Sequence, residues 1–171
     1  MNNDLKLFND GLEKYTISVV LIENIVISLW ILIGSFLIIT QFNLLLGLVY
    51  ISCALIMILF VMRKLICTSC YYYGKICHVG WGKLASFLYK QGQIEEFSTC
   101  IGQKIAPIFF ALLALIPLIF GLILIVNDFS IFNIVFFILL LCTILYSSVF
   151  ARKKSCEKCK MKNVCAGSAA K

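Results

Sequence analysis

Long apolar runs separated by short polar breaks dominate the chain. Four of them, Ile17 to Ile39, Leu44 to Met62, Ile105 to Val126 and Ile131 to Phe150, carry almost no charge. Each is close to the roughly 20 residues an α-helix needs to cross a ~30 Å hydrocarbon layer. They lack the alternating pattern of barrel strands, and an isolated segment satisfies its own amides in lipid only as a helix. The pattern predicts an all-α, integral membrane four-helix bundle forming one membrane domain over residues 1–171.

The breaks set the topology. Thr40 to Asn43 joins the first two spans and Asn127 to Ser130 the last two, so each pair is a tight helical hairpin. All fifteen Lys and Arg residues lie elsewhere, in the N-terminal segment, the loop 63–104 and the tail 151–171. This asymmetry predicts a multi-pass protein of the cell membrane with both termini and the middle loop in the cytosol. The first sixteen residues are mixed polar and no small-residue cleavage pattern follows, so the first run reads as a retained span rather than a signal peptide.

Composition agrees with a bilayer. The chain is 62% hydrophobic with a mean hydropathy of +1.02, well above a soluble domain. Orientation and contact with anionic headgroups account for the net charge of +7, so nucleic acid is not a predicted partner. Arg63, Lys64, Arg152, Lys153 and Lys154 occupy span ends, where basic side chains snorkel.

Seven of the nine cysteines, Cys67, Cys70, Cys77, Cys100, Cys156, Cys159 and Cys165, fall on the predicted cytosolic side, where thiols stay reduced. Arg63 to Cys77 and Arg152 to Cys165 share the frame R-K-x-x-C-x-x-C followed by a third cysteine. Cys67 and Cys156, Cys70 and Cys159, and the intramembrane Cys53 and Cys142 are all 89 residues apart. The spacing predicts an internal repeat, about 17–77 and about 105–165, in which each hairpin ends in a cysteine knuckle. Two copies with an even number of spans share one orientation, so both knuckles hang on one face.

Two residues between cysteines let a turn aim both sulfurs at one soft ion, with backbone amides helping to hold the thiolate charge. The predicted ligands are Cys67, Cys70, Cys77, Cys156, Cys159 and Cys165, around zinc or an iron–sulfur cluster. One arrangement pairs Cys67 and Cys70 with Cys156 and Cys159 in a four-thiolate tetrahedron. The other gives each knuckle its own centre, with a fourth ligand from elsewhere. His78 is available but adjacent to Cys77, and is expected to be solvated or interfacial. Cys100 has no counterpart in the second copy and is expected to be a buried small side chain. One histidine and few acids exclude a catalytic triad or a histidine-based zinc hydrolase.

In the middle loop, Leu84, Phe87 and Leu88 fall at helical spacing between Gly80 and Gly92 and predict a short interfacial helix; Ile94, Phe97 and Ile101 repeat the pattern. Trp81 with Tyr71, Tyr72 and Tyr73 suits the headgroup belt. Pro107, Pro117 and Gly121 predict a kink in the third span. Glu23 is the acid of the first span, placed near the interface.

These features predict a metal-binding membrane subunit that anchors, docks or helps assemble a cytosolic or membrane partner, with a homo-oligomer also admissible. The alternative is a membrane redox protein passing electrons or thiol equivalents. Four-helix quinone-linked disulfide enzymes are similar in size and in using C-x-x-C, but their cysteines work on the oxidising side, opposite to the charge asymmetry here. A third alternative is a metal or cation transporter with Glu23, Cys53 and Cys142 along its path.

Overall fold

In a computed structural model, which describes residues 7–170, the chain is all-α. Four helices are long and apolar enough to cross a membrane: α1 (Ile17–Gln41), α2 (Leu44–Cys67), α4 (Ile101–Asn127) and α5 (Ile131–Glu157). A short helix, α3 (Trp81–Leu88), lies in the middle loop, followed by a tight 3₁₀ turn, Ile94–Ser98.

The helices outrun the apolar stretches. α2 continues through Arg63 and Lys64 to Cys67, and α5 through Arg152, Lys153 and Lys154 to Glu157. Backbone hydrogen bonding does not stop at the hydrocarbon boundary, so the loop starts later than hydropathy alone predicts. Both helices widen before they end: α2 has π-helical turns over Met57–Val61 and Arg63–Cys67, and α5 has one over Tyr146–Ala151, after which Arg152–Glu157 is α-helical. The residues Met57 and Tyr146 that open these turns are 89 apart.

α1 is the central element, packing against α2, α4 and α5. Trp30, Ile31, Leu37 and Ile38 of α1 form the buried core with Tyr50, Ala54 and Ile58 of α2, Leu113 and Leu124 of α4 and Leu140 of α5. Leu29, Leu48, Ile119 and Leu139 point outward with many other large apolar side chains, the arrangement expected where lipid is the solvent. α4 continues through both prolines. Pro117 cannot donate a backbone hydrogen bond, which frees the Leu113 carbonyl one turn earlier. The buried Tyr50 hydroxyl donates to that carbonyl at 2.9 Å, so a side chain of α2 repairs the α4 ladder.

Candidate functional site: the cysteine-bearing end

The end at which α1 begins and α2 and α5 finish carries seven cysteines. Both C-x-x-C turns start in the last turn of a long helix, Cys67 closing α2 and Cys156 preceding the end of α5. The chain then folds tightly in both places: the Cys70 amide donates to the Cys67 carbonyl at 3.4 Å, and the Cys159 amide to that of Cys156 at 3.2 Å. A helix C-terminus carries partial negative charge, so this location opposes a bare thiolate. Reactive C-x-x-C thiols owe their acidity to the opposite end of a helix or to nearby cations.

An N-terminal strap, residues 8–15, crosses between the knuckles. The Phe8 amide donates to the Lys160 carbonyl at 2.9 Å and the Leu12 amide to that of Lys158 at 2.8 Å, and Leu12 pairs with Cys159 as a parallel bridge. Gly11 permits this approach, since a Cβ there would stand 2.7 Å from the Lys160 amide nitrogen. Lys160 Nζ also holds the strap, donating to the Asn9 carbonyl at 2.9 Å and lying 3.7 Å from Glu13. On the other side, the Tyr15 amide donates to the Ile76 carbonyl at 2.9 Å.

Two tyrosines complete the junction. Tyr72, fully buried, donates its hydroxyl to the Leu12 carbonyl at 2.6 Å and accepts from the Lys160 amide at 3.2 Å. Tyr15 donates to the Ser155 carbonyl at 2.7 Å, and the two rings lie 5.7 Å apart. The headgroup belt predicted for Tyr72 is thus replaced by a bridge between knuckles. Tyrosine, apolar in body and polar at its tip, suits both settings, and the alternation of residues gives no sign of which applies.

Burial dominates the electrostatics. It pushes the Cys159 thiol up to about 11, while the Met161 amide and Tyr72 hydroxyl pull the other way and Cys156 and Cys165 add to the rise. It likewise raises Cys70, opposed by the Tyr72 amide and reinforced by Cys67, Cys77 and Cys159. Thiols of both knuckles therefore sense one another. The phenols of Tyr15 and Tyr72 are raised, first by burial. Burial and then the Arg152 charge press His78 down to about 4. This half-buried imidazole meets the Tyr15 ring edge-on at 6.0 Å, instead of standing in water.

Arg63 does not snorkel. It is 5% exposed, its guanidinium lies 5.8 Å from the centre of the Trp81 ring, and its Nε has no hydrogen-bond partner. The only salt bridge among the described residues is Lys160–Glu13, so Arg63 has no carboxylate opposite it. The groups acting electrostatically upon it are Cys67, one helical turn on, Cys77 and Tyr89. Its counterpart Arg152 is exposed and donates to the Gly167 carbonyl at 2.6 Å.

The tail is fixed by α4, where the buried Gln103 accepts from the Ala166 amide at 2.7 Å. Cys100 is half-buried at the start of α4, its carbonyl accepting from the Gln103 amide at 3.1 Å. Glu23 is 7% exposed, and the side-chain Nδ2 of the neighbouring Asn24 donates to the Val79 carbonyl at 3.0 Å, which places Glu23 at the depth of the loop. Cys53 and Cys142 are exposed on the outer surface of the bundle, away from any interior path.

Cys53, Cys67, Cys70, Cys77, Cys100, Cys142, Cys156 and Cys159 are free thiols. Among the described residues, no group of three or more His, Cys, Asp or Glu side chains is arranged to hold a metal ion. Tyr72 and Leu12 of the strap link the two C-x-x-C turns through the Leu12 carbonyl and the Lys160 amide. The sequence-level reading missed the strap and the burial of Arg63; Gly11 is the one signal that a second backbone comes close. Comparison with family models, with curated proteins and with solved structures found no match to the chain.

Proposed function

We propose that this is a multi-pass membrane protein whose paired cysteine knuckles take up a soft, thiophilic metal, zinc or an iron–sulfur cluster, and present it to a cytosolic partner as an anchor or assembly subunit. Arg63 carries the reading. A buried guanidinium is costly without a negative partner, and the groups that act on this one are the thiols of Cys67 and Cys77 and the phenol of Tyr89, with no carboxylate in salt-bridge reach. Metal uptake converts those thiols to thiolates and supplies the missing counter-charge. The donor chemistry fits, with Cys67, Cys70 and Cys77 in the first knuckle, two of which act on Arg63, and Cys156, Cys159 and Cys165 in the second. Binding by both knuckles together requires the strap to yield.

The two knuckles are read as copies of one hairpin unit in parallel orientation. Support comes from the matched π-helical turns 89 residues apart as well as from the matched cysteines. The basic residues gathered at this end support a cytosolic orientation.

The test is elemental analysis by mass spectrometry of protein purified without chelators. Stoichiometric zinc or iron is the expected result; protein free of both removes the reading. A redox role is the second reading, favoured by the contiguous rings of Tyr71, Tyr72 and Tyr15 beside Cys159. Visible absorption that bleaches with dithionite selects it, and a colourless preparation rejects its iron–sulfur form.

A further inference from the structure

The apolar stripe of α3 faces outward. Leu84, Phe87 and Leu88 are 46%, 77% and 50% exposed, whereas Gly82 and Ala85 on the opposite side are buried. The reason lies in side-chain size. Gly82 sits against the Tyr72 and Lys75 carbonyls of the first knuckle, where a Cβ would collide, and the Gly74 amide donates to the Gly82 carbonyl at 3.0 Å. Only the small-residue edge can approach so closely, which turns the larger residues away from the protein.

The depth of α3 follows from its partners. It packs on the Arg63–Cys67 turn of α2, and the Tyr89 hydroxyl just beyond it reaches the Phe60 carbonyl at 3.3 Å. At an α-helical 1.5 Å per residue, less in the π-helical turns, Phe60 lies at most about 24 Å and Cys67 at most about 35 Å along the axis from Leu44. A hydrocarbon layer of ~30 Å ends between these points. The stripe therefore meets lipid at the boundary, and Lys83 and Lys90, both exposed, flank it together with Lys64 of α2.

We propose that α3 is a lipid-sensing element: it lies in the headgroup layer with Leu84, Phe87 and Leu88 among acyl chains and Lys83 and Lys90 on anionic phosphates, and so clamps the first cysteine knuckle according to lipid composition. The route from lipid to cysteine is short. Gly82 bears on Tyr72, and the Tyr73 hydroxyl donates to the Tyr89 carbonyl at 2.7 Å, so both ends of α3 are tied to residues that directly follow Cys70. Among the described residues, the second knuckle has no helix over it in this position, and it should not respond. The inference rests on membrane insertion and is independent of any metal.

Two measurements on the full chain in nanodiscs test it. The first places a fluorophore on the stripe with Phe87→Trp and subtracts the signal of the unaltered protein, which contains Trp30 and Trp81. Bromines on the acyl chains should quench the added indole more strongly than aqueous acrylamide does; the reverse order overturns the placement. The second follows alkylation of Cys70 and Cys159 by peptide mass spectrometry in chelator-treated protein. Raising phosphatidylglycerol from none to about 30% in phosphatidylcholine should slow Cys70 by about fivefold, the scale set by one or two lysines at an anionic surface, and leave Cys159 unchanged. The Lys83→Gln, Lys90→Gln double variant should abolish the difference. Equal Cys70 rates in both lipids, or an equal slowing at Cys159, overturn the coupling.

Discussion

The two cysteine knuckles share a sequence frame but not an environment. In the first, the arginine that opens the frame is buried, stacked on Trp81 and unpaired at Nε, with α3 over the turn. In the second, the matching Arg152 is in solvent and satisfied by the tail carbonyl of Gly167, with the strap alongside. One motif has yielded a charge-demanding half and a self-satisfied half. The difference arises in what packs on each: α3 against the end of α2, and the Ala166–Gly167 segment against Gln103 and Arg152.

Exchanging each arginine for an isosteric apolar residue puts the largest strain on this comparison. Arg63→Met should cost the metal-loaded protein about 3 kcal/mol, because it strips a buried thiolate centre of its counter-charge, and metal retained through purification should fall at least about tenfold. Arg152→Met should change retention by less than about threefold, since an exposed cation contributes little. If Arg63→Met instead raises the melting temperature with no change in metal, Arg63 is an uncompensated buried charge and the counter-charge argument fails.

Gly82→Ala is the next test and acts through packing. The added methyl meets the Tyr72 carbonyl, and overpacking of this kind costs about 1–3 kcal/mol. Alkylation of Cys70 should quicken while that of Cys159 stays the same, because the collision lies on the first knuckle alone. Equal acceleration at both would mean that the strap and Tyr72 weld the knuckles into one unit, and the contrast between them would lose its meaning.

How much of this was legible in the sequence follows from the kind of information each feature needs. The four spans were, because run length and apolarity belong to each segment alone. The gathering of cysteines at one end was too, since short turns leave an even number of helices no other arrangement. The strap was not: Phe8 to Tyr15 is a mixed polar stretch, and its place is fixed by backbone pairing with Lys158 and Lys160, more than 140 residues away. Arg63 looks like any basic residue at a span end until Trp81 closes over it. The α3 stripe was readable in its spacing, whereas its outward direction depends on what Gly82 and Ala85 meet. Hydropathy records where a residue could be comfortable, and long-range contacts decide which such place it takes.

The smallest expected effect concerns Cys53 and Cys142, which belong to the same pair of hairpins as the knuckles and keep the same 89-residue spacing. Matched spacing alone would suggest matched importance, and their depth within the spans makes them candidate ligands along a transport path. Both face outward from the bundle, Cys53 beside Leu48, Val49 and Ile56 on the outer face of α2. At a lipid-facing surface the thiol is a small apolar group, replaceable by a methyl with little lost contact. Cys53→Ala and Cys142→Ala, alone or together, should alter melting temperature by no more than a shift equivalent to about 0.5 kcal/mol and leave metal content as it was. A loss of metal in either variant would place a sulfur ligand inside the membrane and move the centre away from the knuckles, since neither side chain can reach the cysteine-bearing end from its present face.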